Sequence, residues 1–173
     1  MASNLALAEP AEVAKPLVSE EEHQKIDALE RKMLAECAPI DFPLMHIFSP
    51  GLYVRAIFNP AGSLITTRIH KTEHPFIVAK GRARVLIPGH GVEEIEAPYV
   101  GITKAGTRRV ILAVTDVVWI TCHANPEDRK DVNQLETMLE ERREWEDGKT
   151  TYEHSLEKLK QLAEGQQLSI LEV

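Results

Sequence analysis

Between Pro43 and Ala124 the chain breaks into short β-type runs, each closed by a turn signal before the next begins. The runs are 45–48, 53–58, 64–70, 76–79, 82–87, 92–96, 99–103, 109–114 and 117–123. Between them stand Ser-Pro-Gly, Asn-Pro-Ala-Gly, Lys-Gly, Pro-Gly-His-Gly, Ala-Pro, Ala-Gly and Thr-Asp, residues that preset φ or bond to their own backbone. Strands spaced this evenly mark a sandwich or barrel. A parallel sheet would need crossover helices between them, and no helical period interrupts the series. The expectation is a mainly β fold, a mainly antiparallel jelly roll over residues 43–124.

The densest chemistry lies in residues 62–81. Arg68 and His70 alternate with Ile69, so they share one face of a strand. Lys71-Thr72-Glu73 is a polar break, His74 follows, and Pro75 leads into the apolar run 76–79. Two histidines flanking a strand corner can both point into one barrel mouth. The spacing resembles the first cupin motif, which runs Gly, five residues, His-x-His, three or four residues, Glu, six residues, Gly. Here Gly62, His70 and Gly81 keep their places, Arg68 stands for the first His and His74 for the Glu. In the second motif's place only Gly106 matches; Lys104, Arg109 and Ala113 replace its Pro, metal-binding His and Asn.

A narrower resemblance covers roughly residues 43–125. The string from His46 to Arg55, Ile69-His-Lys-Thr-Glu-His-Pro-Phe76, Ala97-Pro-Tyr-Val-Gly-Ile-Thr-Lys104, Gly106-Thr-Arg-Arg109 and Trp119-Ile-Thr-Cys-His123 are similar to small cupin-like proteins of tailed-phage and prophage genomes. That resemblance implies a single cupin-type barrel and a setting among phage structural proteins, as a virion, assembly or accessory component. It implies no particular reaction.

Cupin resemblance also implies one divalent transition metal (Fe, Mn, Ni or Zn) held by three imidazoles and a carboxylate. This register supplies His70 and His74 as metal ligands, so a third must come from Glu73 or His123, with His46 as an outside candidate. Glu73 is adjacent, but a strand-like corner turns it away from its neighbour's face. His123 shares one face of the last run with Trp119 and Thr121. Arg68 and Arg109 fall where ligands normally point inward, and a guanidinium cannot ligate a metal. With Trp119 they make a ligand-binding set suited to a small carboxylate or phosphate. The structural alternative for Arg109 is an ion pair with Glu94 or Glu96. No phosphate loop, zincin helix or nucleophile elbow is present, while general acid–base work by His70 or His74 stays open.

The flanks read differently. Residues 1–18 are Ala-rich with Pro10 and Pro16 and predict a flexible arm. Ser19 and Glu22 form a capping box opening a helix over 19–38, with Ile26, Leu29, Met33 and Cys37 on one stripe. From Asn125-Pro126 a second helical period starts, carrying Val132, Leu135 and Leu139 on toward Trp145. Thr150 and Glu153 open a third, with Tyr152, Leu156, Leu159 and Ala163. Residues 125–165 are therefore expected to form an αα-hairpin, before a tail over 166–173. These helices predict a homo-oligomer. A net charge of −7 argues against nucleic acid and anionic membranes as partners. Two cysteines make no disulfide framework, which predicts a reducing, cytoplasmic setting. Three readings follow: a non-enzymatic oligomeric component with a vestigial or ligand-binding pocket, a small-anion-binding module, and a metal-dependent enzyme of oxygenase or isomerase type.

Overall fold

The computed structural model describes residues 18–37 and 42–143. The arm before Val18, the helix end at Ala38-Pro39, the second hairpin helix and the tail lie outside the described residues. Eleven strands and two helices are described, in the order α1, β1–β10, α2, β11.

Helix α1 spans Glu20–Glu36 and opens on the expected capping box. Glu22 N donates to Ser19 Oγ at 3.3 Å, and Ser19 N donates back to Glu22 Oε2 at 2.9 Å, so two otherwise unpaired donors are satisfied. Only its first half is buried, through His23, Ile26 and Asp27, with Val18 buried just before the N-cap; Leu29 and Met33 are half-covered and Cys37 is exposed. What fastens it to the barrel is Arg108, 1% exposed. Its guanidinium reaches Asp27 Oδ1 at 2.6 Å and Glu30 Oε2 at 2.7 Å, and donates to the carbonyls of His23 and Thr67 at 3.2 Å each. A buried cation is tolerated because nearly every N–H has an acceptor.

The barrel is two facing antiparallel sheets. One holds β1 (Leu44–Ser49), β2 (Gly51–Asn59), β10 (Val117–Asn125), β5 (His74–Lys80) and β8 (Tyr99–Thr103), in that spatial order. The other orders β3 (Leu64–Thr66), β9 (Val110–Ala113), β6 (Arg82–Ile87) and β7 (Gly91–Glu96). Strands β10 and β9 lie between partners distant in sequence, which is the jelly-roll arrangement of the cupin type. Every second side chain of β5, β6, β9 and β10 points inward. Phe76, Val78, Ala83, Val85, Ile95, Ile111, Ala113, Val117 and Trp119 make one continuous core. The β5–β6 corner is tight enough to need glycine: Gly81 has φ of +86°, and a Cβ there would sit 2.0 Å from the Asp116 carbonyl oxygen.

Two boundaries differ from the expectation. The run 64–70 is not one strand. It splits into β3 and a two-residue β4 (Ile69–His70), and β4 leaves the sheet to pair with β11 (Glu140–Glu141). The C-terminal helix starts later and stops sooner than its sequence period suggests. Asn125 ends β10 and brackets a turn, accepting from Arg129 N at 3.0 Å and donating to Arg129 O at 2.9 Å. Asp131 is the N-cap, accepting from Asn133 N and Gln134 N. Helix α2 is Val132–Leu139, and at Glu140 the chain turns extended. There the ladder to β4, with Lys71 N donating to Leu139 O at 2.8 Å, outweighs the helical pattern toward Trp145. Leu135 and Leu139 pack on Tyr53 and Phe48, so α2 and β11 close one end of the barrel. Among the described residues no helix is long and apolar enough to cross a membrane.

Candidate functional site

The closed end gathers three histidines. The β4–β5 corner brings the rings of His70 and His74 to 4.8 Å between centroids, and β10 places His123 at 4.1 Å from His74. Strands β5 and β10 are antiparallel neighbours with Thr121 opposite Phe76. Two residues on, the same inward faces carry His123 and His74. All three are buried, His123 to 1% exposure.

Each ring keeps a buried nitrogen without a hydrogen-bond partner: Nδ1 of His70, Nε2 of His74 and Nδ1 of His123. For His74 the tautomer follows from its neighbour. Nδ1 lies 3.1 Å from the carbonyl oxygen of Thr72, which can only accept, so Nδ1 carries the proton and Nε2 presents a lone pair. His123 Nε2 lies 3.0 Å from Thr121 Oγ1. Burial pushes all three pKa values down, those of His70 and His123 to about 3, because an imidazolium would lose its hydration without gaining a partner. The rings are neutral at physiological pH.

A ring of charge surrounds them. Arg55 on β2 donates to Glu140 Oε1 at 2.5 Å and lies 3.9 Å from Glu136. Arg68 lies 3.5 Å from Glu136 and 3.6 Å from Glu140. Burial alone would raise the Glu140 pKa, but the charge and hydrogen bond of Arg55, with His70 and Arg68 nearby, hold it down to about 2. The Glu140 charge in turn acts on all three imidazoles. Tyr53 bridges outward: its hydroxyl is 2.7 Å from His46 Nδ1 and its ring stacks 5.9 Å from His123. Burial raises the Tyr53 pKa to about 12.

Of the residues singled out in the sequence, His70, His74 and His123 come together. Glu73 is turned to solvent, paired with Lys104 at 2.7 Å. His46 reaches the cluster through Tyr53, which stacks between it and His123. Arg68 is engaged by the two acids of the C-terminal segment. Arg109 is 5% exposed, donates to Thr103 Oγ1 at 2.9 Å and lies 5.0 Å over the Phe76 ring. The ion pair with Glu94 or Glu96 does not form: both acids lie exposed on the outward face of β7, where Glu94 pairs with Arg82 and Arg84 at 3.5 and 3.4 Å. No carboxylate lies within ion-pair distance of Arg109 among the described residues, and burial lowers its pKa to about 10. Trp119 stacks on Phe76 at 4.7 Å within the core. Sequence reasoning missed Tyr53, Arg55, Glu136 and Glu140. The signal available was the alternation Tyr53-x-Arg55 on β2 and the pair Glu136, Glu140 four apart beside Leu135 and Leu139.

The donor set suits a divalent transition metal: neutral imidazoles, each with an unused buried nitrogen, beside an ionised carboxylate. As the rings pack, no three His, Cys, Asp or Glu side chains among the described residues are placed to hold an ion. The fit is one of chemistry and proximity, and ligation requires the rings to turn about their side-chain torsions.

Neither the family models nor the curated proteins contain a match to this chain. Solved structures do. An RmlC-like cupin family protein of double-stranded β-helix fold from Methanocaldococcus jannaschii aligns at 10% identity and TM-score 0.43, over 50% of this chain and 84% of its own. A cupin superfamily protein from Desulfitobacterium hafniense aligns at 10% and 0.43, over 51% and 82%. Salicylate 1,2-dioxygenase from Pseudoaminobacter salicylatoxidans, in adducts with gentisate, aligns at 14% and 0.49, over 72% of this chain and 36% of the enzyme. The similarity is one of strand arrangement alone.

Proposed function

We propose that this jelly roll binds one divalent transition metal at His70, His74 and His123 and uses it on a small anionic substrate, in oxygenase- or isomerase-type chemistry. The observation that carries the reading is the meeting of three buried, neutral imidazoles, each with an unpaired ring nitrogen. An iron, manganese, nickel or zinc ion would supply Lewis acidity with positions left for substrate. The chain's own groups do the rest. The Thr72 carbonyl fixes the His74 tautomer, and Thr121 orients His123. Arg55 keeps the Glu140 carboxylate ionised, available as a fourth donor. Arg109, buried beside Phe76 without a carboxylate, is the cation an anionic substrate would meet.

A second reading is favoured by the way α2 and β11 close this end of the barrel, with Glu140 held by two arginines. It is a non-enzymatic component of a phage-type assembly, with the histidine cluster as a packed remnant. Elemental mass spectrometry on untagged protein separates the two. Near-stoichiometric content of one transition metal, lost in the His70→Ala/His74→Ala protein, supports the metal centre. A trace of metal that the double substitution leaves unchanged refutes it and leaves the assembly reading.

A further inference from the structure

The histidine cluster is shut off from solvent. His70, His74 and His123 are 4%, 2% and 1% exposed, so some part of the wall around them has to move before an anion arrives. The barrel strands are firmly held: β10 pairs with β2 over nine residues and with β5 on its other side. The cover is attached differently. β11 joins neither sheet and pairs with β4 over two residues. Lys71 adds two bonds, its N to Leu139 O and its Nζ to Thr137 O, both at 2.8 Å. Helix α2 buries Leu135, Leu139 and the acid Glu136. The other ties are ionic. Glu136 and Glu140 face Arg55 and Arg68, and Arg143 holds Glu20 at 2.5 Å and Asp27 at 3.0 Å on α1.

We infer that α2 and β11 are a gate over the histidine cluster, latched by two carboxylates that an anionic ligand displaces. The turn leading into the gate stays with the barrel. Asn125 brackets Arg129, and Gly51 N donates to Asp128 Oδ1 at 2.7 Å, so the hinge lies between this turn and Val132. Strand β4 stays as well, since His70 N donates to Thr107 O at 3.0 Å and Gly106 N to His70 O at 2.7 Å. The gate therefore leaves without carrying His70 along. Opening withdraws Glu136 and Glu140 from Arg55 and Arg68, two half-buried guanidiniums that belong to the barrel. A small molecule with two carboxylates replaces those acids group for group. Because it binds the arginines only when the acids have left, it favours the open state by its difference in affinity. For its purpose the gate rests on the metal-centre reading; the opening itself needs no metal.

The test is amide hydrogen exchange by NMR on the full, metal-free chain, in a succinate series held at constant ionic strength with sodium chloride. Lys71 N is bonded to the gate and His70 N, one residue earlier, to the barrel, so adjacent amides report opening and its absence. Lys71 is expected to exchange about 100-fold faster than His70, through local opening. Succinate should raise the Lys71 rate several-fold and leave His70 unchanged. Arg143→Ala keeps the Arg108–Asp27 pair and should speed Lys71 on the order of tenfold. Arg68→Met should exchange faster than the native protein without succinate and largely lose the response to it. Lys71 and His70 exchanging at one slow rate would overturn the gate, since the cover would then open only with the whole fold. A Lys71 rate that succinate leaves unchanged, or raises equally in Arg68→Met, overturns displacement by the ligand. Metal content decides the metal centre separately: zinc binding can fail in a protein whose gate opens, and the gate can stay shut in one that takes zinc.

Discussion

Acidification from about pH 7 to about pH 5 should remove on the order of 4 kcal/mol of stability through His70 and His123 alone. In the unfolded chain these rings titrate near the ordinary histidine value of about 6.5, whereas in the fold burial holds both at about 3. Over this window the unfolded state therefore takes up protons and the native state does not. Stability is fully present above the unfolded pKa and drains away as pH falls. Each ring contributes about 1.9 kcal/mol over the two units, and the figure hardly changes if the folded value is 4 rather than 3. His74, His23 and His46, also shifted down by burial, act in the same direction. Glu140, held down to about 2, loses its contribution as pH falls from the ordinary carboxylate value toward 2, so it adds little above about pH 5. Against a total of roughly 5–15 kcal/mol for a domain, the effect is large. Urea unfolding in chelator, repeated at several pH values, gives the slope. The His70→Asn/His123→Asn protein should lose about 2.7 kcal/mol per pH unit of that slope on the acid side of the window, whatever its stability at neutral pH. Equal slopes in the two proteins would refute the burial argument.

Three further outcomes follow from packing. Arg108→Met removes the cation that Asp27 and Glu30 share, and should cost about 3 kcal/mol in denaturant unfolding. Arg143, 3.0 Å from Asp27 Oδ2, keeps the loss at the low end, and hydrogen exchange should show α1 deprotected first. Gly81→Ala drives a Cβ against the Asp116 carbonyl at positive φ and should destabilise by on the order of 3 kcal/mol, read by thermal melting. Glu140→Gln leaves the half-buried Arg55 without its nearest counter-charge and should cost about 2 kcal/mol, with the Arg55→Met/Glu140→Gln protein recovering part of it.

The barrel was legible because turn chemistry is local. Asn59-Pro60-Ala61-Gly62 and Pro88-Gly89-His90-Gly91 announce their corners wherever they occur, and strand alternation does the rest. The capping box of Ser19 and Glu22 was legible for the same reason. His70 and His74 could be paired across one corner, but choosing His123 over Glu73 depends on β10 lying beside β5, a contact between distant segments that no local period encodes. Arg108 was overlooked because motif spacing drew the eye to Arg109, while the acids that bind Arg108 lie on a helix far back in the chain. The end of α2 was hidden by competition. Val132, Leu135 and Leu139 extend a helical stripe, yet pairing with β4 stops it at Leu139. That stop buries Glu140, an acid that composition alone assigns to solvent.

The central claim, that three neutral imidazoles present free nitrogens in one place, is tested most directly by long-range proton–nitrogen NMR of the histidine rings, with and without one equivalent of zinc. The account predicts that His70 and His123 stay neutral at about pH 5, with the His74 proton on Nδ1. It also predicts that the free nitrogens Nδ1 of His70, Nε2 of His74 and Nδ1 of His123 shift together on addition of zinc. Rings that titrate near the ordinary histidine value, or that ignore the metal, would contradict it.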